Sequence, residues 1–217
     1  MDRNRTTTNP DDRAFDRAMM RRCIALAIES GEQGEYPYAA VICRNGAVVC
    51  ETINPVTRDG DVTHHAELVA VSQAQKVLAR TSLDDCTIYV NAEPCALCCY
   101  AIRESRIGRV VYGMQAPLTG GLTRWNILAD DKLSETLPEV FAPPPEIVPG
   151  FMREEAEAAL ERWDPVAWRF IRARNVFGGP LPPDVLARAH NVPRRSGLHA
   201  RVMAFLRRTF FDHFGRK

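Results

Sequence analysis

The chain has 217 residues, 46% of them hydrophobic, and a formal net charge of +1, which suits one domain with a sizeable core plus an appendage. No apolar run approaches the ~18 residues of a membrane span, and Met1 to Thr8 has no apolar stretch after its charges, so neither a membrane span nor a secretory signal is expected. Seven cysteines, an odd number, read as reduced thiols and predict a cytoplasmic protein.

Residues 1–10 read as a disordered arm. A helix is expected over Asp11 to Glu29, with Asp at its start, Phe15, Ala18, Met19, Ile24, Leu26 and Ile28 as its apolar residues, and Gly31 just past its end. Ala39 to Cys43 and Ala47 to Glu51 are β-rich runs joined at Asn45-Gly46, a type I′ hairpin signal. His64 to Arg80 carries apolar residues at helical spacing through Leu68, Val69, Val71, Ala74, Val77 and Leu78. A strand over Thr87 to Asn91 precedes a helical stretch from Pro94 to Arg106, which opens on a proline suited to a first turn. Arg109 to Tyr112 reads as a strand, Ile147-Val148 as an edge strand before Pro149, and Met152 to Arg162 and Pro165 to Arg174 as helices.

This order predicts an α/β fold: a three-layer α-β-α sandwich around a mixed, roughly five-stranded sheet, with functional groups where strand ends meet helix starts. Ala142-Pro143-Pro144-Pro145 reads as a stiff linker, and Gly178-Gly179-Pro180 as the end of the main domain. The expected division is therefore an arm (1–10), a domain (11–177) and a C-terminal helical extension (178–217).

The charge is unevenly spread. Arg188 to Lys217 holds eight Lys/Arg against one acidic residue, Asp212, while the rest carries 20 basic and 26 acidic side chains. Within the extension, Gly197 to Arg216 spaces Leu198, Val202, Phe205, Leu206, Phe210 and Phe214 as a basic amphipathic helix, expected to pack on the acidic body or a partner subunit. An acidic body is a poor track for a phosphate backbone, so a small free substrate is expected ahead of nucleic acid.

Chemistry concentrates in His65-Ala66-Glu67 and Pro94-Cys95-Ala96-Leu97-Cys98. Zn²⁺ takes nitrogen and thiolate ligands tetrahedrally, and a catalytic site leaves one position open. His65, Cys95 and Cys98 supply three ligands. A closed structural zinc would need a fourth, and no second C-x₂-C pair exists: Cys23, Cys43, Cys50 and Cys86 stand alone. A structural zinc or a redox C-x-x-C is the competing reading. Two thiolates already donate electron density to such a metal, which then acidifies water less than an all-histidine site would; a separate base is useful, and Glu67 is the candidate. Both halves of the motif fall at helix starts, where partial positive charge favours the thiolate. His64 reads as a helix-start residue and Cys99 as a small buried hydrophobe.

These motifs resemble the cytidine deaminase-like superfamily, and within it the branch of tRNA adenosine deaminases and guanine deaminases, over residues 12–175. Tyr36-Pro37-Tyr38-Ala39-Ala40-Val41-Ile42 looks like the family's first strand, with Ala39 where glycine is more usual. Asp61-Val62-Thr63-His64-His65-Ala66-Glu67 resembles its D-P-T-A-H-A-E run, with valine and histidine replacing proline and alanine. Glu93-Pro94-Cys95 and Ser105 to Gly113 resemble the tRNA adenosine deaminase version. Trp163-Asp164-Pro165-Val166-Ala167-Trp168-Arg169 is similar to the end of bacterial guanine deaminases, where that segment helps close the active site, often across a dimer. The resemblance implies zinc-dependent hydrolytic deamination of a nucleobase or nucleoside with release of ammonia, purines such as guanine foremost, by a homodimer.

It also implies a substrate contact for Asn54, eleven residues before His65, although capping a turn with Pro55 is an equally local role. Ala66, Tyr38, Trp125 and Trp168 complete the candidate substrate set: Tyr36, Tyr38 and Trp125 are flat enough to stack on a ring, and Trp168 is placed to close the site by analogy, but each is also a natural core residue. Trp125 lies in the long Met114 to Pro145 stretch, with Gly120-Gly121 as a hinge for a lid. The rival functions are tRNA wobble-adenosine deamination and an inactive partner subunit, and Glu67 speaks against the second because a scaffold needs no proton carrier.

Overall fold

The computed structural model describes residues 10–180 and 182–190; the arm and the amphipathic stretch Gly197 to Arg216 expected from the sequence lie outside them. Helix α1 (Pro10–Glu32) leads into a hairpin of β1 (Ala39–Arg44) and β2 (Ala47–Ile53). Asn45 and Gly46 both take positive φ, 50° and 74°, as a type I′ turn demands. A one-turn α2 (Val56–Asp59) and α3 (Ala66–Val77) follow, then β3 (Cys86–Ala92), α4 (Ala96–Glu104) and β4 (Arg109–Met114). The long stretch after β4 contains only α5 (Asp131–Thr136) before β5 (Glu146–Val148), and α6 (Arg153–Trp163), α7 (Pro165–Ala173) and α8 (Pro183–His190) end the described chain.

The five strands form one mixed sheet in the order β2-β1-β3-β4-β5. β1 is antiparallel to β2 and β3, whereas β3, β4 and β5 run parallel. Central strands buried on both faces read as continuous apolar runs, and alternation sorts them. Ala40, Ile42, Ile88, Val90, Val110 and Tyr112 face the layer of α3 and α4, while Val41, Cys43, Tyr89 and Val111 face α1 and α6.

Three expectations change. Helix α1 continues through Gly31, where a Cβ would overlap the Trp163 ring, so that glycine admits α6 rather than ending a helix. The body does not end at 177: Val185 and Ala189 of α8 are buried in the α3–α4 side core, and Arg188 Nη1 donates to the Leu122 carbonyl at 3.0 Å. Nor does the stiff segment Ala142 to Pro145 stand off as a linker, since Ala142 is buried and accepts hydrogen bonds from Arg103 and Ser134.

Candidate active site

At the carboxyl ends of the parallel strands, the starts of α3 and α4 converge. His65 and Cys95 are the residues immediately before these helices, both in extended conformation (ψ 146° and 173°), and Cys98 lies in the first turn of α4. His65 Nδ1 stands 3.5 Å from Cys95 Sγ and 3.4 Å from Cys98 Sγ, and the two sulfurs are 3.6 Å apart. Metal–sulfur distances of about 2.3 Å and metal–nitrogen distances of about 2.0–2.1 Å place tetrahedral ligand atoms roughly 3.5–3.8 Å from one another, so this triangle has the size zinc requires. Its nitrogen-and-thiolate chemistry fits zinc as well.

The electrostatics agree. Donation from the Cys98 thiol, against the opposing push of burial and with help from His65, lowers the Cys95 thiol to about 4; that same contact and burial push Cys98 up. Glu67, in the first turn of α3 and 9% exposed, lines the same cavity as His65 and Cys95. Burial, with the neighbouring Cys95 thiolate adding to it, pushes its carboxyl up to about 7, a value suited to gaining and losing a proton near neutrality. His64 points away from the triad to the surface, bonded to Asp59 Oδ2 at 2.8 Å, and Cys99 is buried with its thiol on the Pro94 carbonyl.

The cavity beside the triad encloses about 290 Å³. Asn54 lines it, with its N–H on the Tyr38 carbonyl at 3.0 Å. It does not cap the following turn. That task falls to the buried Glu35, whose carboxylate accepts from Thr57 N (2.8 Å) and Arg58 N (2.6 Å) at the start of α2. Tyr36 and Tyr38 are in the wall, as are Val56, Val62 and Thr119. The remaining aromatic is Phe177, absent from the sequence-based set, its ring centroid 5.6 Å from that of Tyr38. Gln115, just past β4, holds it there by donating Nε2 to the carbonyls of Gly178 and Pro180, at 3.1 and 2.6 Å.

Three sequence candidates fall elsewhere. Trp168 is 2% exposed in the α1–α6 side core, and Phe177 takes the place in the cavity wall expected of it. Trp125 is 56% exposed, with Arg124 over its ring, and does not line the cavity. Ala66 is buried, its carbonyl accepting from Thr52 Oγ1 at 2.8 Å, although its N–H is one of the first-turn donors of α3 that have no partner within the helix. Gly120 and Gly121 are no hinge: a Cβ on either would collide with Glu93 or Cys99, so these glycines permit close approach.

The model of the cytidine and deoxycytidylate deaminase zinc-binding region matches residues 13–114. The chain is 33% identical to the tRNA-specific adenosine deaminase of Haemophilus influenzae over 148 residues, 67% of this chain and 81% of that one. It is 40% identical to the guanine deaminase of Bacillus subtilis over 97 residues, 44% of this chain and 62% of that one, thus less than two thirds of that relative's length. A solved structure from work on A-to-I editing by tRNA:A34 deaminases superposes with a TM-score of 0.59 at 28% identity, covering 66% of this chain and 99% of the other. Fold and site together are those of a deaminase zinc-binding region, with His65, Cys95 and Cys98 grouped as three residues that could hold the metal. The chain belongs to the cytidine deaminase-like family, in the branch that holds tRNA adenosine deaminases and guanine deaminases. Among the described residues no helix is long and apolar enough to cross a membrane.

Proposed function

We propose that this chain hydrolyses the exocyclic amino group of a free nucleobase or nucleoside, a purine such as guanine foremost, and releases ammonia. The observation that carries the reading is the cavity itself: about 290 Å³, with Tyr36, Tyr38 and Phe177 in its walls beside Asn54, Glu67 and Thr119, and with His65 and Cys95 of the triangle in its lining. That size is near the lower end of small-molecule sites and matches one flat ring system. The loop beside Val62 adds to the case. It presents Asp61, held below the usual carboxylate range by the Thr63 hydrogen bonds, and an ionised carboxylate there disfavours a phosphate backbone, whereas Asp59 is already paired with Arg58.

In this reading His65 Nδ1 and the Cys95 and Cys98 sulfurs would hold zinc, which would supply a Lewis acid that acidifies water. Glu67 accepts a proton from the attacking water and delivers it to the ring nitrogen, then takes the remaining proton of the hydroxyl added to the ring carbon and passes it to the departing amine. The C–NH₂ bond is replaced by C=O, and ammonia leaves. Asn54 and Thr119 hydrogen-bond the edge of the ring, while Tyr38 and Phe177 pack on its face and exclude bulk water. The subunit is expected to work as a homodimer.

A second reading, wobble-adenosine deamination in tRNA, is favoured by the 33% identity that spans 81% of a tRNA-specific adenosine deaminase. Ammonia release measured across bases, nucleosides and a tRNA anticodon stem-loop separates the two. Turnover of a free purine is the expected result, and turnover of the stem-loop alone would overturn the first reading.

A further inference from the structure

Glu93 lies at the cavity wall beside Cys95, and the chemistry above does not use its buried carboxylate. It is 3% exposed, and every donor it accepts comes from a single stretch of chain. Oε2 accepts from Ala116 N at 2.8 Å and Thr123 Oγ1 at 2.6 Å, and Oε1 from Leu122 N at 3.0 Å and Thr123 N at 2.6 Å. Four donors around one carboxylate form a turn folded about a fixed anion, each bond strengthened by the charge.

That turn is stitched to the start of α4 on its other side. Gly121 N donates to the Pro94 carbonyl at 2.8 Å, and Cys95 pairs with Gly120 in an isolated antiparallel bridge. Gly120 leaves room for the carboxylate, since a Cβ there would overlap it. The same turn carries Thr119 into the cavity wall. One side chain thus holds the turn that bridges to Cys95 and that carries Thr119 in the cavity wall.

We infer that Glu93 is a positioning residue, acting through Cys95 on zinc retention and through Thr119 on substrate binding; this rests on the reading of Cys95 as a zinc ligand. Glutamine has the same shape but turns one acceptor into an NH₂ group: toward Ala116 N and Thr123 Oγ1 it loses the Ala116 bond, since the hydroxyl can turn to accept, and toward Leu122 N and Thr123 N it loses both. Outer-shell partners of metal ligands typically govern affinity by 10–100-fold.

The experiment uses the full chain loaded with zinc and follows metal release to a chromogenic chelator, alongside KM for whichever substrate the unaltered chain turns over. Glu93→Gln should release zinc roughly 10–100-fold faster and raise KM. Thr123→Val, which removes only the hydroxyl donor, should do so a few-fold. Asp130→Ala removes a comparable capping bond to Lys132 N far from the site and should lower the thermal midpoint with zinc release unchanged. Folded Glu93→Gln that keeps zinc and KM as before overturns the inference; if that variant fails to fold, unchanged values for Thr123→Val overturn it instead. An unaltered chain that binds no zinc would overturn the ligand reading itself, a distinguishable failure.

Discussion

Asp16 on α1 and Arg109 at the start of β4 form a bidentate ion pair, Nη1–Oδ1 at 2.7 Å and Nη2–Oδ2 at 2.8 Å, at the end of the sheet opposite the triad. Tyr89 adds its hydroxyl to Oδ1 at 2.6 Å. Burial pushes the Asp16 carboxyl up, but the Arg109 and Tyr89 hydrogen bonds and the Arg109 charge outweigh it, so the pKa ends below the ordinary aspartate value.

A depressed folded-state pKa means that the pair's contribution is present above the ordinary value of about 3.9 and drains away as pH falls through the lower folded value. Asp16→Asn should therefore cost about 3 kcal/mol at pH 7, as broken buried pairs do, and flatten the acid limb of the thermal midpoint below about pH 4. Because the pair lies at the far end of the strands, KM should not move. A mutant curve parallel to the native one across that range would show that Asp16 is not the titrating group.

Glu67→Gln should retain zinc and lose activity by about 10²–10⁴-fold, the usual contribution of a positioned acid–base group. Cys98→Ser should lose zinc and fall in thermal midpoint, because metal binding is coupled to folding. Elemental analysis beside ammonia release separates the two roles. Equal loss of zinc in both variants would make Glu67 a ligand.

The division between what the sequence revealed and what it hid follows from distance along the chain. His65, Glu67, Cys95 and Cys98 sit in short motifs at helix starts, where local backbone geometry alone brings each pair together. The hairpin at Asn45-Gly46 was legible for the same reason, since positive φ at two successive residues is a local demand. Phe177 was not legible: its place depends on the chain beyond α7 turning at Gly178 and Gly179, with φ of 89° and 86°, and on a buried glutamine just past β4. The same Gly-Gly pair had read as a domain end. Gly120-Gly121 misled in a similar way, because a hinge and a close approach both require a missing side chain, and only the neighbours Glu93 and Cys99 decide between them.

Arg103 on α4 explains how the long stretch after β4 is held. Its side chain is buried and donates to the carbonyls of Ile127, Leu128, Asp130 and Ala142 and to Ser134 Oγ. Arg103→Met keeps much of the volume but leaves several buried acceptors without donors, at about 1–3 kcal/mol for each that water cannot reach. The expected loss is on the order of 3 kcal/mol or more, with faster amide exchange over residues 127–142 than in α1. Uniform exchange across both would mean that the arginine stabilises the whole fold and not this stretch.

Phe177 and Trp168 are near neighbours in sequence with opposite expected phenotypes. Stacking of a base on an aromatic ring is worth about 1–3 kcal/mol by alanine substitution, or roughly 5–150-fold in binding. Phe177→Ala should raise KM within that range, and Phe177→Tyr should preserve it. Trp168 lies in the core, so Trp168→Ala should cost about 3–5 kcal/mol of stability and leave the KM of the surviving folded fraction near the native value. Steady-state kinetics paired with thermal unfolding on the two alanine variants gives the answer directly. A KM effect at Trp168 with none at Phe177 would return the closing role to the tryptophan and place the aromatic wall on the wrong side chain.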